Sequence, residues 1–350
     1  MELIDYVNNN GIDSLKSDNI KINKFKNLKL VKYKYGSKLT NEYQKYCKGA
    51  IYNCETNNFV CIPPKNSELY NNQPLSKSVI IQDLIDGTMV NMFYVNDKWN
   101  ISTRSDIGCN NKWSDKSFIK MINDICDINT ITNVLNKNYS YSFVLRHKSN
   151  KCVSNIEFNS LVLVDIFDLS DNMYVTDMNA HFNINVPFYI INHYAYTNIE
   201  RLMKLKCNHD WKGFIIKNNN IRYKYINPEY KKAKDITINS NNLLYTYFSC
   251  KHDNTIMKYL KIYPENKKDF DNYRDLFNIM VNEVYDNYVK FKIKKTIKFN
   301  DIPFHLKPLI NNIHDQYIIK NKRISIKFIS NYITKLPLKR IIFIMNNYIN

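Results

Sequence analysis

Short apolar runs separated by polar turns occupy the chain from about residue 28 to 226. They read as strands: LKLVKYKY, AIYN, FVCI, SVIIQDL, TMVNMFYV, KWNISTR, YSFVLRH, SLVLVDIF, GFIIK and IRYKYI. Two longer mixed segments, 114–136 and 198–207, are helical candidates inside that region. Beyond Pro228 the period changes. Phe270, Tyr273, Phe277, Met280, Val281, Val284, Tyr285 and Tyr288 recur at three- and four-residue intervals, which places them on one face of a helix of about five turns. Pro303 opens a helical stretch towards Lys320, 324–336 is a further apolar run, and Pro337 precedes a last short helix, 338–349. The pattern predicts an antiparallel-rich α+β domain over 1–235 and an all-α domain over 236–350. There is no internal repeat, and the Asn runs at 8–10 and 218–220 read as loops.

Composition narrows the class. The 350 residues are 44% hydrophobic, enough for a proper core. The formal charge is +18 and the pI about 9.3, a balance that suits RNA, another nucleic acid or a nucleotide as partner. Abundant Asn, Ile, Lys and Tyr beside scarce Gly, Ala and Pro is also the signature of an AT-rich genome, which raises Lys content whatever the function. Residues 236–350 hold 19 Lys or Arg against 9 Asp or Glu, the remainder 31 against 23. The helical part is the more basic per residue, either as a solvated face or as an RNA-binding surface. Eight cysteines lie at 47, 54, 61, 109, 126, 152, 207 and 250 without a C-x-x-C pair, which predicts reduced thiols rather than a zinc site or a disulfide framework. The start MELIDYVNNN lacks the features of a signal peptide, and no stretch approaches the ~18 apolar residues of a membrane span, so the expectation is a soluble cytoplasmic protein with no membrane partner. His147, in LRHKSN, reads as a surface histidine. No H-E-x-x-H, G-x-S-x-G or Walker A pattern is present. Some of the 27 tyrosines and 18 phenylalanines could stack on bases, but none is singled out.

With only six glycines, their positions are informative. Gly49, Gly87, Gly108 and Gly213 sit at strand edges beside charged residues. The segments around them resemble, in order and spacing, the covalent nucleotidyltransferase superfamily of RNA ligases, DNA ligases and mRNA capping enzymes, and most closely the RNA-ligase-like proteins of large cytoplasmic DNA viruses. CKGAIYNCETNNFVCIPPKNSELYN is similar to the family's lead-in, with Lys48, Gly49, Pro63, Lys65, Tyr70 and Asn71 in place. LIDG at 84–87 falls where the family has K-x-D-G, and WNISTRSDIG at 99–108 resembles the strand with a basic turn that follows. YSFVLRHKSNKCV at 141–153 resembles the strand with the family's F-E-F or F-E-L, and WKGFII at 211–216 takes the place of E-G. RYKYINPEY at 222–230 resembles the closing K-x-K and the tyrosine-bearing turn beyond it.

The resemblance implies a lysine that attacks the α-phosphate of ATP or GTP, carboxylates for the ribose and a metal ion, and closing lysines on the phosphate. This chain departs from it at the chemistry. Leu84 stands at the nucleophile position and has no lone pair. Lys77, the nearest upstream lysine, is seven residues away, roughly 23 Å along a strand. Ser142 and Lys212 occupy carboxylate positions, so no catalytic or metal-ligating residue is assigned. The nominated nucleotide- or phosphate-binding residues are Lys48, Lys65, Asp86, Gly87, Arg104, Lys212, Arg222 and Lys224. Arg222 and Lys224 alternate with Tyr223 and Tyr225, so both cations share one face of a strand. The bland alternatives are a hairpin turn at Asp86 and Gly87, and solvated strand-end charges elsewhere. Three functions stay open: a degenerate RNA-ligase-like protein that binds RNA or nucleotide without a lysyl adduct; an active ligase using a shifted lysine, with ATP and Mg as cofactors; and a viral structural or interaction protein whose helices meet a protein partner, in the host cytoplasm, viral factory or virion.

Overall fold

A computed structural model describes residues 2–349, apart from 18, 77, 113, 183–184, 196–198, 206–207, 219–220, 239, 241 and 321–322. Lys77 and Cys207 therefore lie outside the described residues, as do the ends of the 198–207 helix candidate and most of the 218–220 loop. The chain divides into two compact units, Met1–Lys234 and Asp235–Asn350.

In the first unit every one of the ten apolar runs forms a strand. The strands are β1 (Ile20–Phe25), β2 (Leu28–Tyr33), β3 (Lys48–Asn53), β4 (Asn58–Cys61), β5 (Glu68–Leu69), β6 (Ile80–Asp83), β7 (Thr88–Val95), β8 (Lys98–Thr103), β9 (Tyr139–Arg146), β10 (Ser160–Asp168), β11 (Met173–Tyr174), β12 (Tyr189–Ile190), β13 (His193–Tyr194), β14 (Gly213–Asn218) and β15 (Ile221–Ile226). They build three sheets, ordered β1-β2-β3-β4, β11-β10-β9-β7-β8 with β12 beside β10, and β13-β6-β14-β15-β5. Pairing is antiparallel except at β10–β12 and β15–β5. The β7–β8 hairpin closes over Asn96 and Asp97, whose φ values of 53° and 55° suit a tight turn that matches the twist of its strands. β10, SLVLVDIFD, is buried along all but its last residue, which is why its sequence is a continuous apolar run instead of an alternating one. Together with β7 and β9 it holds the main core, including Val90, Met92, Tyr141, Phe143, Leu163 and Ile166.

Segment 114–136 forms two short helices, α1 (Phe118–Asn123) and α2 (Ile128–Thr132), rather than one. The break is local: Asp127 caps the second helix by accepting from the amide of Asn129 at 2.7 Å.

The second unit is all-helical. Its longest helix, α3 (Lys267–Tyr288), buries Phe270, Phe277, Met280, Val281, Val284 and Tyr288, six of the eight positions expected on its apolar face. Helices α4 (Lys307–Lys320), α5 (Ile326–Thr334) and α6 (Leu338–Met345) follow. The α+β class with an all-α C-terminal unit is as expected. Among the described residues no helix is long and apolar enough to cross a membrane.

Candidate anion-binding site

The site begins where β6 ends. Asp83 is held by Trp211 Nε1 at 2.9 Å and by the Tyr194 hydroxyl at 2.7 Å, and the next amide, Leu84, donates to the Gly213 carbonyl at 2.9 Å. The chain then turns into β7. Gly87 has φ +154°, and a Cβ there would lie 2.8 Å from Val144 Cγ1 and closer still to the Leu145 carbonyl, so only glycine lets the turn press against β9. Asp86 is buried. Its carboxylate accepts from the Tyr230 hydroxyl at 2.6 Å and from the amides of Val153 at 3.0 Å and Ser154 at 3.1 Å, and it pairs with Lys212 Nζ at 3.3 Å. Burial opposes its charge, yet Lys212, Tyr230 and the two amides together hold the carboxyl below its ordinary range. Asp86 is thus a brace that ties four segments together.

In front of this brace the cations converge. Lys48 opens β3 and is followed by Gly49, whose φ is +103° and whose Cβ would be 2.9 Å from Arg104 Cα. That close approach brings Lys48 beside Arg104. The Arg104 guanidinium lies 4.2 Å from the centre of the Tyr33 ring and donates to the Tyr33 carbonyl. Lys48 faces the charges of Arg222, Lys224, Lys212 and Arg104, and burial together with those four cations drops its ammonium pKa to about 7. Lys224 is lowered too, by burial and by Lys212. Neither the Lys48 nor the Lys224 ammonium has a hydrogen-bond or ion-pair partner among the described residues. Lys48 and Arg104 also line a cavity of about 260 Å³ with Thr88, Asn91, Thr103 and Phe118.

The other nominated residues are engaged within the protein. Arg222 pairs with Asp165 at 2.8 Å, and Lys217 takes the second oxygen at 2.7 Å. Lys65 is bound to Glu42 at 2.8 Å. Ser142 is buried and donates to Asn91 Oδ1 at 2.9 Å. Leu84, half-buried, offers no nucleophile.

A divalent metal ion, implied by the resemblance, finds no donor set here. The two carboxylate positions carry Ser142 and Lys212, while Asp86 and Asp165 are each occupied by internal cations. Among the described residues no three His, Cys, Asp or Glu side chains gather to hold a metal.

His147 corrects the sequence reading. It is 3% exposed, and its Nε2 meets Asp124 Oδ2 at 3.0 Å while Nδ1 accepts from the Ser149 amide. A charged run around it suggested the surface, but Leu145 and the β9 strand carry it inward. Asp165 was not anticipated as part of the site, although a lone carboxylate inside the apolar run SLVLVDIF is the kind of signal that marks a buried ion pair. Tyr230 was quoted but not nominated, and it proves to be a direct partner of Asp86.

No protein-family model matches the chain, and no curated protein matches it. Among solved structures it is similar to an RNA ligase of Naegleria gruberi, determined as a lysine-to-alanine mutant with ATP and Mn, at 13% identity and TM-score 0.38, over 49% of this chain. The match spans 58% of that ligase. An archaeal ATP-dependent RNA ligase matches at 12% identity and TM-score 0.43, covering 64% of this chain and 60% of the ligase. A protein of Aquifex aeolicus provisionally described as an ATP-dependent DNA ligase matches at 11% identity and TM-score 0.44, covering 89% of this chain and 80% of that one.

Proposed function

We propose that residues 1–235 are a ligase-like nucleotidyltransferase scaffold that binds a nucleotide or the phosphates of RNA and does not form a lysyl-nucleotide adduct at position 84. One observation carries the reading: the ammonium groups of Lys48 and Lys224 have no partner among the described residues, Lys48 feels the charges of Lys224 and Lys212, and Lys212, at a position where the resemblance implies a carboxylate, is paired to Asp86 at 3.3 Å. Cations that contact phosphate are kept, while the groups that would attack or hold a metal are replaced. The test is twofold. Binding of a short RNA and of ATP should weaken steeply between about 50 and 200 mM salt. Incubation with α-labelled ATP or GTP, with Mg²⁺ or Mn²⁺, should leave no label on the protein in a denaturing gel.

A second reading, an active nucleotidyltransferase using a shifted lysine, is favoured by the Lys48 amine, which with a pKa of about 7 is half neutral near pH 7 and can act as a nucleophile. It predicts a labelled band that the substitution Lys48→Met abolishes.

A further inference from the structure

The pocket is short of negative charge as well as of carboxylates. Around Lys48 stand Arg104 after β8, Lys212 before β14, and Arg222 and Lys224 on β15, while Lys32 lies opposite it on β2. The acids in reach are taken: Asp86 by Lys212, Asp165 by Lys217 and Arg222. Asp106 acts on Lys32. His193, which feels Lys217 and Asp165, is lowered mainly by burial and stays neutral near pH 7. Among the described residues, Lys48, Lys224 and the Arg104 guanidinium thus leave positive charge without an ion-pair partner in a partly desolvated region. A single phosphodiester, with one negative charge, would leave most of it uncompensated. A di- or triphosphate chain carries three or four charges over a comparable span.

We propose that this pocket takes the di- or triphosphate chain of its ligand without a divalent metal ion, with Lys48 and Lys224 supplying the compensating charge and Lys48 taking up a proton as the chain binds. The proposal rests on the location of the site in the ligase-like reading but not on that reading's chemistry. In the ligases that the sequence resembles, a metal ion would screen the phosphates; here the Lys212 ammonium stands where a carboxylate would hold it. The proton uptake follows from burial first and from mutual repulsion second. Burial and four neighbouring cations disfavour the charged form of Lys48 in the free protein, and an arriving polyanion reverses the local field. No bond is made or broken; one proton moves from solvent to Lys48 Nζ.

Isothermal titration of the full chain with sodium tripolyphosphate and with ATP tests this, in EDTA and in Mg²⁺, at pH 6.5, 7.5 and 8.5. Binding is expected in EDTA, no weaker than in Mg²⁺. Affinity should fall by about tenfold from pH 7.5 to 8.5, where the free protein must acquire the proton. In the Lys48→Met variant that fall should flatten and affinity at pH 6.5 should drop at least tenfold, with circular dichroism confirming the fold. A parallel arm compares RNA with a 5′-triphosphate against the same RNA with a 5′-hydroxyl: tighter binding of the first identifies an RNA end as the source of the chain, and tight binding of ATP alone identifies a free nucleotide. A requirement for Mg²⁺, or an affinity that does not change with pH, or an unchanged pH dependence in Lys48→Met, overturns the proposal. If RNA binds but no polyphosphate does, this inference falls and the RNA-binding reading stands; if nothing binds, both fall.

Discussion

Lys290, Lys294, Lys295 and Lys298 of the helical unit stand exposed, whereas Lys48 and Lys224 of the sheet unit lie where burial and neighbouring cations lower their pKa values. A lysine in water costs the fold almost nothing, so the first set is consistent with an RNA-binding surface and equally with compositional drift. A cation held among cations is destabilising in the free protein, and such a position persists only against that cost. Charge counted along the sequence ranks the helical unit as the more basic per residue; charge weighed by its surroundings points to the sheet unit. The contrast also separates two kinds of ion within the sheet unit. Asp165 and Asp86 meet their cations and brace strands, while the Lys48 and Lys224 ammonium groups meet no partner among the described residues.

The sharpest way to break this distinction is to remove a brace. Asp86→Ala leaves Lys212, the Tyr230 hydroxyl and two buried amides without their acceptor, so unfolding in urea should show a loss of about 3–5 kcal/mol. A loss below about 1 kcal/mol would mean the carboxylate faces ligand and is no brace. Gly87→Ala comes next, because its Cβ would enter β9 near Val144, and a loss of about 2–3 kcal/mol is expected. Lys48→Met should behave in the opposite sense, removing a disfavoured charge at little cost or with a gain in stability while weakening phosphate binding. Its pH signature has a defined sign. The folded pKa of about 7 is below that of an unfolded lysine, so between pH 7 and about 10 the unfolded chain binds more protons and stability contributed by this site rises with pH. Below pH 7 the penalty is fully present. Urea midpoints across that window should therefore rise more steeply in the natural chain than in Lys48→Met.

Much of the fold was legible because periodicity is a local property. The ten apolar runs between 28 and 226 became strands, and the stripe on α3 became core. β1, IKINKF, escaped because two lysines and an asparagine dilute its alternation and only Ile20 is fully buried. The helix Leu243–His252 escaped for the opposite reason: Leu244, Tyr247, Phe248 and Cys250 are buried with Thr246 and Ser249 between them, so no polar face marks its period. At the site, the cation positions could be read from the sequence but their partners could not. Arg222 meets Asp165 across 57 residues and Tyr230 meets Asp86 across 144, and pairings at such separations are set by sheet order, which no local pattern encodes. Whether a cation is paired or bare is the property on which the proposed function rests, and it was the part that needed the fold.

The mildest test falls on the helical unit. Lys294→Glu with Lys295→Glu reverses two exposed charges near Lys290 and Lys298, so repulsion among them should ease and stability should change by less than about 0.5 kcal/mol. Binding is where the two units can be separated. If these lysines contact RNA phosphates, the slope of log affinity against log salt should fall by about 1–2 for a short RNA, while ATP affinity stays unchanged. If both RNA and ATP binding are untouched, the basic balance of the helical unit is a solvated surface, and the recognition of phosphate belongs to the small set of half-buried cations around Lys48. A loss of ATP affinity from these two substitutions would break the comparison itself, because exposed charges would then be contributing where only desolvated ones are expected to.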